Sequence, residues 1–163
     1  MRTIIYDINS KELNKKFKSD TKLISAKECK KSCVGCFNCW VKHPLKCALN
    51  DEYSSIVPFI ANSSELILIS KCRYGCYSHE VKRVLERCIS YVLPYFTIRE
   101  DEIHHATRYK KDLKLTLYLY GDITEDDKKC IEKMLKANAL NLNATSYEYF
   151  TYKNEKELIK CLH

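Results

Sequence analysis

The run Glu65-Leu-Ile-Leu-Ile-Ser70 is the feature that most constrains the fold of this chain. Its four aliphatic residues follow one another without the polar alternation of a strand that has one face in water. Such a strand is buried on both faces, as in a parallel sheet that helices cover on either side. The run therefore predicts the central strand of an α/β domain.

The other segments alternate between strand and helix patterns. Asp51 is a candidate N-cap for one of the helices, and the polar residues 97–112 predict an irregular segment with His104 and His105 exposed. The alternation predicts one domain over residues 1–163, with five parallel strands, right-handed crossovers and helices on both faces. Strand patterns lie at 3–8, 21–26, 65–70, 113–120 and 145–152, and helix patterns at 11–18, 53–60, 78–92, 124–142 and 154–162.

Composition excludes several classes of protein. A chain of 163 residues with 45% apolar and 30% charged residues predicts a globular domain with its own core. The net charge of +7 comes from lysines spread along the chain without interleaved aromatics, so we expect no nucleic-acid partner. No apolar run approaches the ~20 residues of a membrane helix, and the N-terminus lacks a signal-peptide layout. We therefore expect no membrane partner and a cytoplasmic location.

Ten cysteines stand out, and five of them lie in a cysteine-rich loop at 29–50, where the last four have the spacing C-x2-C-x2-C-x7-C. In a chain without an export signal, such cysteines indicate thiols, ligands or redox groups rather than disulfides. Three interpretations stay open: an iron–sulfur cluster, a four-thiolate zinc site, or a metal-free loop held by the packing of Phe37 and Trp40. The packing interpretation is slightly favoured. The four candidate ligands are Cys33, Cys36, Cys39 and Cys47.

These motifs resemble the flavodoxin-like family that includes the NAD(P)H-dependent FMN reductases and the iron–sulfur flavoproteins. The family pattern C-x-G-C-x-x-C-W…P-G-x-C…D-D is matched by Cys33, Gly35, Cys36, Cys39, Trp40, Pro44, Cys47 and Asp51, with Leu45 in place of the second glycine. The family patterns S-P-x-Y and K-x-x-x-D-R are matched by Ser70, Lys82 and Arg87, whereas Lys71, Arg73 and Glu86 replace proline, tyrosine and aspartate.

The resemblance implies a fold and an activity. The fold is a flavodoxin-like doubly wound parallel sheet of order 2-1-3-4-5, with a ligand crevice outside the carboxyl ends of the first and third strands. The activity is electron transfer from NAD(P)H through FMN to a small-molecule or protein acceptor, in a homo-oligomer. The alternative is an iron–sulfur or zinc protein for electron transfer or sensing on the same scaffold.

The phosphate end of the expected flavin site is reduced. Where the family has G-S-x-R-x-x-G-N-T, this chain has only Asn9-Ser10-Lys11. These residues are candidate phosphate ligands, because the N-terminus of a helix attracts an anion. An ordinary helix cap explains Asn9 and Ser10 equally simply. We therefore expect weak FMN binding and a protein that is isolated largely empty.

The ring end of the expected site lies in the turn after the third strand. Tyr74 is a candidate to stack on the flavin, Arg73 to stabilise the reduced ring, and Gly75 to give backbone access. Alternatively, Tyr74 and Tyr77 cover the core. The full set of candidate residues at this end is Cys72, Arg73, Tyr74 and Gly75 on one lip, and Tyr120, Gly121 and Asp122 on the other.

Overall fold

A computed structural model describes residues 1–17 and 20–162, and it confirms the α/β prediction. Five parallel strands form one sheet in the order β2-β1-β3-β6-β7. This is the predicted order 2-1-3-4-5, because a separate hairpin, β4-β5, is inserted between the third and fourth strands of the sheet. The strands are β1 (Arg2–Tyr6), β2 (Thr21–Ser25), β3 (Glu65–Lys71), β4 (Val92–Arg99), β5 (Glu102–Thr107), β6 (Lys114–Tyr120) and β7 (Ser146–Tyr152).

Helices cover both faces of the sheet, as the aliphatic run of β3 predicts. Leu66 and Leu68 face one helix layer, Ile67 and Ile69 face the other, and all four are almost fully buried. Helices α1 and α6 pack on one face, and α3, α4 and α5 on the other. The helices are α1 (Ser10–Lys16), α2 (Asn38–Val41), α3 (Val57–Ala61), α4 (His79–Glu86), α5 (Glu125–Leu142) and α6 (Glu155–Cys161).

Polar caps fix where these helices begin. A capping box begins α5: Asp127 N donates to Thr124 Oγ1 at 3.1 Å, and Thr124 N donates to Asp127 Oδ2 at 3.0 Å. Asn9 caps α1, and the Lys18 end predicted for that helix lies outside the described residues. In the described part of the chain, no helix is both long and apolar enough to cross a bilayer.

The prediction that 97–112 is irregular is wrong, because most of this segment forms the antiparallel hairpin β4-β5. The turn residues Glu100 and Asp101 both have positive φ, as in the two-residue turns that suit a right-twisted hairpin. Nor is His104 an exposed loop residue: it is buried, and its Nδ1 lies 2.9 Å from Asn141 Oδ1 of α5. Charged and polar residues on both strands concealed the hairpin from the sequence pattern.

Two predicted helices are shorter than their apolar periodicity indicates. The helix predicted at 78–92 ends at Glu86, and a single 3-10 turn, Ile89–Tyr91, leads into β4. Pro94 disfavours helical backbone just before it, and the chain is already extended at Val92. The helix predicted at 53–60 begins only at Val57, so Asp51 does not cap it.

Gly75 fits tightly against α5. An added Cβ would lie 2.5 Å from Cys130 Cβ and 3.0 Å from the backbone oxygen of Asp127. Its φ of +66° is also a conformation that L side chains rarely adopt. Gly75 therefore allows the turn after β3 to pack on α5.

We predict that Gly75→Ala lowers the free energy of unfolding by at least about 2 kcal/mol more than Gly35→Ala does. Gly35 is the matched control, because its φ of +65° imposes the same backbone strain while nothing lies within 4 Å of an added Cβ. Urea unfolding of the two variants and the wild type measures the difference. Equal losses of unfolding free energy in the two variants would show that the contact of Gly75 with α5 does not affect stability.

Candidate functional site

The expected ligand crevice lies at the carboxyl ends of β1, β3 and β6. The register pairs Tyr6 with Ile69, and Lys71 with Tyr120, so the three strands end side by side. The chain segments 7–9, 72–78 and 121–124 leave the sheet at this edge. In a doubly wound sheet, this is where ligands bind.

A buried carboxylate, Asp7, ties the three strand ends together. Its Oδ2 accepts hydrogen bonds from Lys71 N at 3.0 Å and Ser70 Oγ at 3.1 Å, and its Oδ1 accepts from Tyr120 OH at 3.2 Å. Burial and the neighbouring Asp7 charge raise the pKa of Tyr120, which keeps this phenol a donor. Asp7 was not among the predicted site residues, although a charged residue inside the apolar run 3–8 was the available signal.

A second carboxylate, that of Glu155, lies at the N-terminus of α1. Asn9 N donates to Glu155 Oε1 of α6 at 2.9 Å, and Lys11 N donates to Asn9 Oδ1 at 3.1 Å. Two backbone donors that a flavin phosphate would need are therefore used within the protein. The Lys11 side chain is exposed, and the side chain of Ser10 lies outside the described part. The carboxylates of Asp7 and Glu155 thus accept hydrogen bonds from backbone donors at this edge of the sheet.

The turn after β3 presents an exposed tyrosine at the opposite end of the crevice. Arg73 and Cys76 exchange backbone hydrogen bonds of 2.8 and 3.0 Å around a two-residue turn in which Tyr74 has a φ of 53°. Tyr74 is 98% exposed, whereas Tyr77 is buried in the core. Strained backbone at such a position often marks a functional residue. The turn thus leaves Tyr74 open to a ligand and assigns Tyr77 to the core.

The remaining predicted residues frame these two ends. Cys72 N donates to Tyr120 O at 2.8 Å, and Gly121 N donates to Tyr152 O at 3.0 Å, so both lips are anchored by backbone. Cys72 is partly buried, and burial raises the pKa of its thiol. Arg73 and Asp122 have exposed side chains. The structure therefore brings the predicted crevice residues to one edge of the sheet.

The four clustered cysteines line one cavity of about 450 Å³ beside the carboxyl end of α4. Cys39 is buried, and burial raises the pKa of its thiol, which favours the thiol over the thiolate that a metal requires. Among residues 1–17 and 20–162, no three Cys, His, Asp or Glu side chains form a group that could hold a metal ion. This conformation does not support the zinc or cluster interpretation. The cavity is lined by Cys33, Cys36, Cys39 and Cys47 together with Phe37, Leu85, Arg87 and Ile89.

A buried ion pair fixes the cysteine loop to α4. The guanidinium of Arg87, which has no exposed side-chain surface, donates to both carboxylate oxygens of Asp51 at 2.6 and 2.8 Å. These charge-assisted bonds lower the pKa of Asp51, and they raise the pKa of Arg87 against the effect of burial. Arg87 also approaches Cys29 Sγ at 3.6 Å. Asp51 and Arg87 both belong to the family motifs, but the sequence pattern did not reveal that they form an ion pair.

Aromatic packing holds the other side of the loop. The rings of Phe37 and Trp40 stack with centroids 5.5 Å apart, and Trp40 Nε1 donates to Val92 O at 2.8 Å. The loop is thus attached to α4 by an ion pair and to β4 by an indole hydrogen bond.

No family model and no curated protein matches the sequence. Solved structures do match the fold. An FMN-dependent NADH-azoreductase from Bacillus anthracis str. Ames Ancestor, in complex with FMN, aligns over 98% of this chain and 92% of the azoreductase, with a TM-score of 0.53 and 10% identity. An NAD(P)H:quinone oxidoreductase from Methanothermobacter marburgensis has the same coverage and identity and a TM-score of 0.56. The likeness confirms the flavodoxin-like fold.

We predict that Asp51→Asn lowers the free energy of unfolding by about 3 kcal/mol, because the charge of Arg87 stays buried without its partner. This is the lower end of the range for buried pairs, since 21% of the Asp51 side chain is exposed. The pKa of Asp51 is lowered in the folded protein, so its contribution is present above its unfolded pKa of about 4. The difference between variant and wild type should therefore shrink as the pH falls below that value.

Urea unfolding at several pH values measures both effects. The control is Asp126→Asn, which removes the exposed ion pair of Asp126 with Lys129 and should have little effect. A second variant, Asp51→Leu with Arg87→Met, replaces both charges by apolar groups and should be more stable than Asp51→Asn. Equal stability of Asp51→Asn and the wild type would show that the pair does not hold the loop.

Proposed function

We propose that this protein is an oxidoreductase that uses FMN as a weakly held, exchangeable substrate in the flavodoxin-like crevice, with NAD(P)H as the electron donor. The observation that carries the proposal is the sheet edge at the carboxyl ends of β1, β3 and β6, where Tyr74 is exposed and the carboxylates of Asp7 and Glu155 bond backbone donors. The chemistry of two structural neighbours, an FMN-dependent NADH-azoreductase and an NAD(P)H:quinone oxidoreductase, favours the same proposal.

The ring end of the crevice supports flavin binding. Tyr74 offers a flat aromatic surface that is almost wholly in solvent, on a turn that is braced against α5 through Gly75. Arg73 lies next to it with an exposed side chain, and its cation would stabilise the negative charge of a reduced flavin ring. An aromatic platform beside a cation suits an isoalloxazine ring.

The phosphate end supports exchange rather than retention. The carboxylates of Asp7 and Glu155 accept from the backbone donors of Lys71 and Asn9, and a phosphate at the N-terminus of α1 would lie near them. A nearby like charge repels a phosphate dianion, so the phosphate of FMN adds little binding affinity over riboflavin. We infer that ring contacts supply most of the flavin affinity.

The reaction needs no acid or base from the protein. NAD(P)H gives a hydride to FMN, a proton comes from solvent, and the products are NAD(P)⁺ and reduced FMN. Reduced FMN then delivers its electrons to a small-molecule or protein acceptor. The roles of the chain are to hold the ring at Tyr74 and to release the flavin readily.

We predict that the protein is isolated largely without flavin, and that FMN and riboflavin bind with similar, micromolar or weaker affinity. Glu155→Gln should tighten FMN binding about three- to tenfold, because it removes a like charge whose repulsion of the phosphate costs about 1 kcal/mol. The Gln amide oxygen can still accept the hydrogen bond from Asn9 N, and riboflavin binding should not change. Tyr74→Ala should weaken the binding of both flavins. Flavin fluorescence titration at low salt measures these affinities.

Glu132→Gln is the matched control, because Glu132 lies on α5 and accepts a hydrogen bond from Tyr149 OH of β7 at 3.0 Å, away from the strand ends. Oxidation of NAD(P)H, followed by absorbance, should depend on added FMN in the wild type. Nanomolar FMN binding would contradict the weak site. A lack of FMN-dependent NAD(P)H oxidation would contradict the proposed activity.

A second candidate function is an iron–sulfur or zinc site for electron transfer or sensing. The observation that favours it is that all four loop cysteines line a single cavity next to Arg87. The loop would have to rearrange, because its thiols do not converge in the described structure. Binding would also release protons from the thiols.

We predict that anaerobically purified protein contains less than stoichiometric iron, sulfide and zinc. Elemental and sulfide analysis of the wild type and of Cys36→Ser tests this prediction, with Cys161→Ser as a control for an exposed cysteine outside the loop. Stoichiometric metal that is lost in Cys36→Ser and kept in Cys161→Ser would favour the second candidate over an empty loop.

A further inference from the structure

We propose that the cysteine-lined cavity beside α4 reduces organic hydroperoxides. In this reaction Cys47 is the thiol that attacks the peroxide, and Cys39 is the thiol that then forms a disulfide with Cys47. Both residues line the cavity. The activity uses no flavin, so it is independent of the oxidoreductase function proposed for the sheet edge.

The cysteine loop folds back on itself and brings Cys47 toward Cys39. Leu45 has a positive φ of 69°, and its N donates to Cys39 O at 3.1 Å. Two residues later, Cys47 N donates to Ser54 O at 2.8 Å, which fixes the backbone of Cys47. The thiols of Cys47 and Cys33 are close enough for their charges to act on the Cys39 thiol. A disulfide needs only two sulfur atoms to meet, whereas a metal site needs several thiols to converge.

Burial assigns different roles to the two thiols. Cys47 is partly exposed and lines the cavity, so a peroxide that enters the cavity can reach its sulfur. Cys39 is only 8% exposed. A thiol that oxidants reach, with a second thiol close by, is the arrangement that converts a sulfenic acid into a disulfide. Cys47 is therefore the attacking thiol, and Cys39 is the thiol that completes the disulfide.

A buried cation lies beside Cys47. The positive charge of Arg87 interacts with the Cys47 thiol as well as with the carboxylate of Asp51. The Nε atom of Arg87 is buried and has no hydrogen-bond partner among the described residues, so the guanidinium keeps a donor for a further negative charge. A cation next to a cysteine favours the thiolate, which is the form of the side chain that attacks a peroxide.

The rest of the cavity selects the class of peroxide. Besides the thiols and Arg87, its wall is largely apolar and includes Val34, Phe37, Leu85 and Ile89. The volume of about 450 Å³ is within the range of small-molecule sites. An apolar wall gains free energy when it covers a hydrocarbon group, and hydrogen peroxide has none. We therefore expect hydroperoxides that carry an alkyl or aryl group to react faster than hydrogen peroxide.

The reaction balances with the two thiols and one hydroperoxide, ROOH. The Cys47 thiolate attacks the outer oxygen of ROOH, the O–O bond breaks, and the alcohol ROH leaves with the proton that the thiol has lost. The resulting Cys47 sulfenic acid reacts with the Cys39 thiol, a sulfur–sulfur bond forms, and water leaves. Two thiols are thus oxidised to a disulfide while ROOH is reduced to ROH and water. An external dithiol restores the two thiols by exchange.

Loss of cumene hydroperoxide and of free thiols, measured on the reduced full chain, tests the proposal. One equivalent of hydroperoxide should remove two thiols, and peptide mass analysis should find Cys39 joined to Cys47. Cys47→Ser should slow the loss of hydroperoxide at least about tenfold, whereas Cys36→Ser, the control for an exposed thiol of the same loop, should not. Cys39→Ser should stop the reaction at the Cys47 sulfenic acid, which dimedone traps.

A charge in the cavity wall tests the class of peroxide. Val34 lines the cavity and is 68% exposed, so Val34→Glu should leave the fold intact, which far-UV circular dichroism checks. This variant should react about three- to tenfold more slowly with cumene hydroperoxide and at the wild-type rate with hydrogen peroxide. A Cys47→Ser variant that reacts at the wild-type rate, or a disulfide between other cysteines, overturns the proposal. Equal wild-type rates with the two peroxides overturn the assignment to organic hydroperoxides.

Discussion

The ion pair between Arg87 and Asp51 is the interaction on which the arrangement of the cysteine loop depends. A guanidinium with no exposed surface is stable only where a carboxylate and further acceptors satisfy it, and residues 29–51 wrap around it to supply them. The loop therefore has a fixed position although it contains almost no regular structure. That position creates the cysteine-lined cavity and brings Trp40 to the hairpin.

The sheet was predictable because burial on both faces favours an unbroken aliphatic strand, and β3 carries that signal in its composition. The β4-β5 hairpin was not predictable, because its apolar residues point outward and its polar residues pack on α5. A pattern that assumes apolar residues face inward assigns such a segment to a loop. The early end of α4 escaped prediction because Ile89 and Val92 continue its spacing in a different backbone conformation.

The site was predictable in its place but not in its contacts. The strand order located the edge of the sheet, where Tyr120 ends β6 and Tyr74 follows β3. The carboxylates at its phosphate end were not foreseen, because Asp7 acquires its partners from residues 63 to 113 positions away and Glu155 reaches Asn9 across 146 positions. Sequence spacing shows which residues share a helix face, but not which loops meet at the edge of a sheet.

The hydrogen bonds of Asp7 join the strand ends at this edge of the sheet without a bound molecule. Where a bound molecule ties the ends of several strands together, the folded state gains free energy from that molecule in proportion to the logarithm of its concentration. Here a side chain of the protein makes the ties between β1, β3 and β6, at a fixed effective concentration. The ends of these three strands therefore stay joined whatever the concentration of a molecule bound beside them.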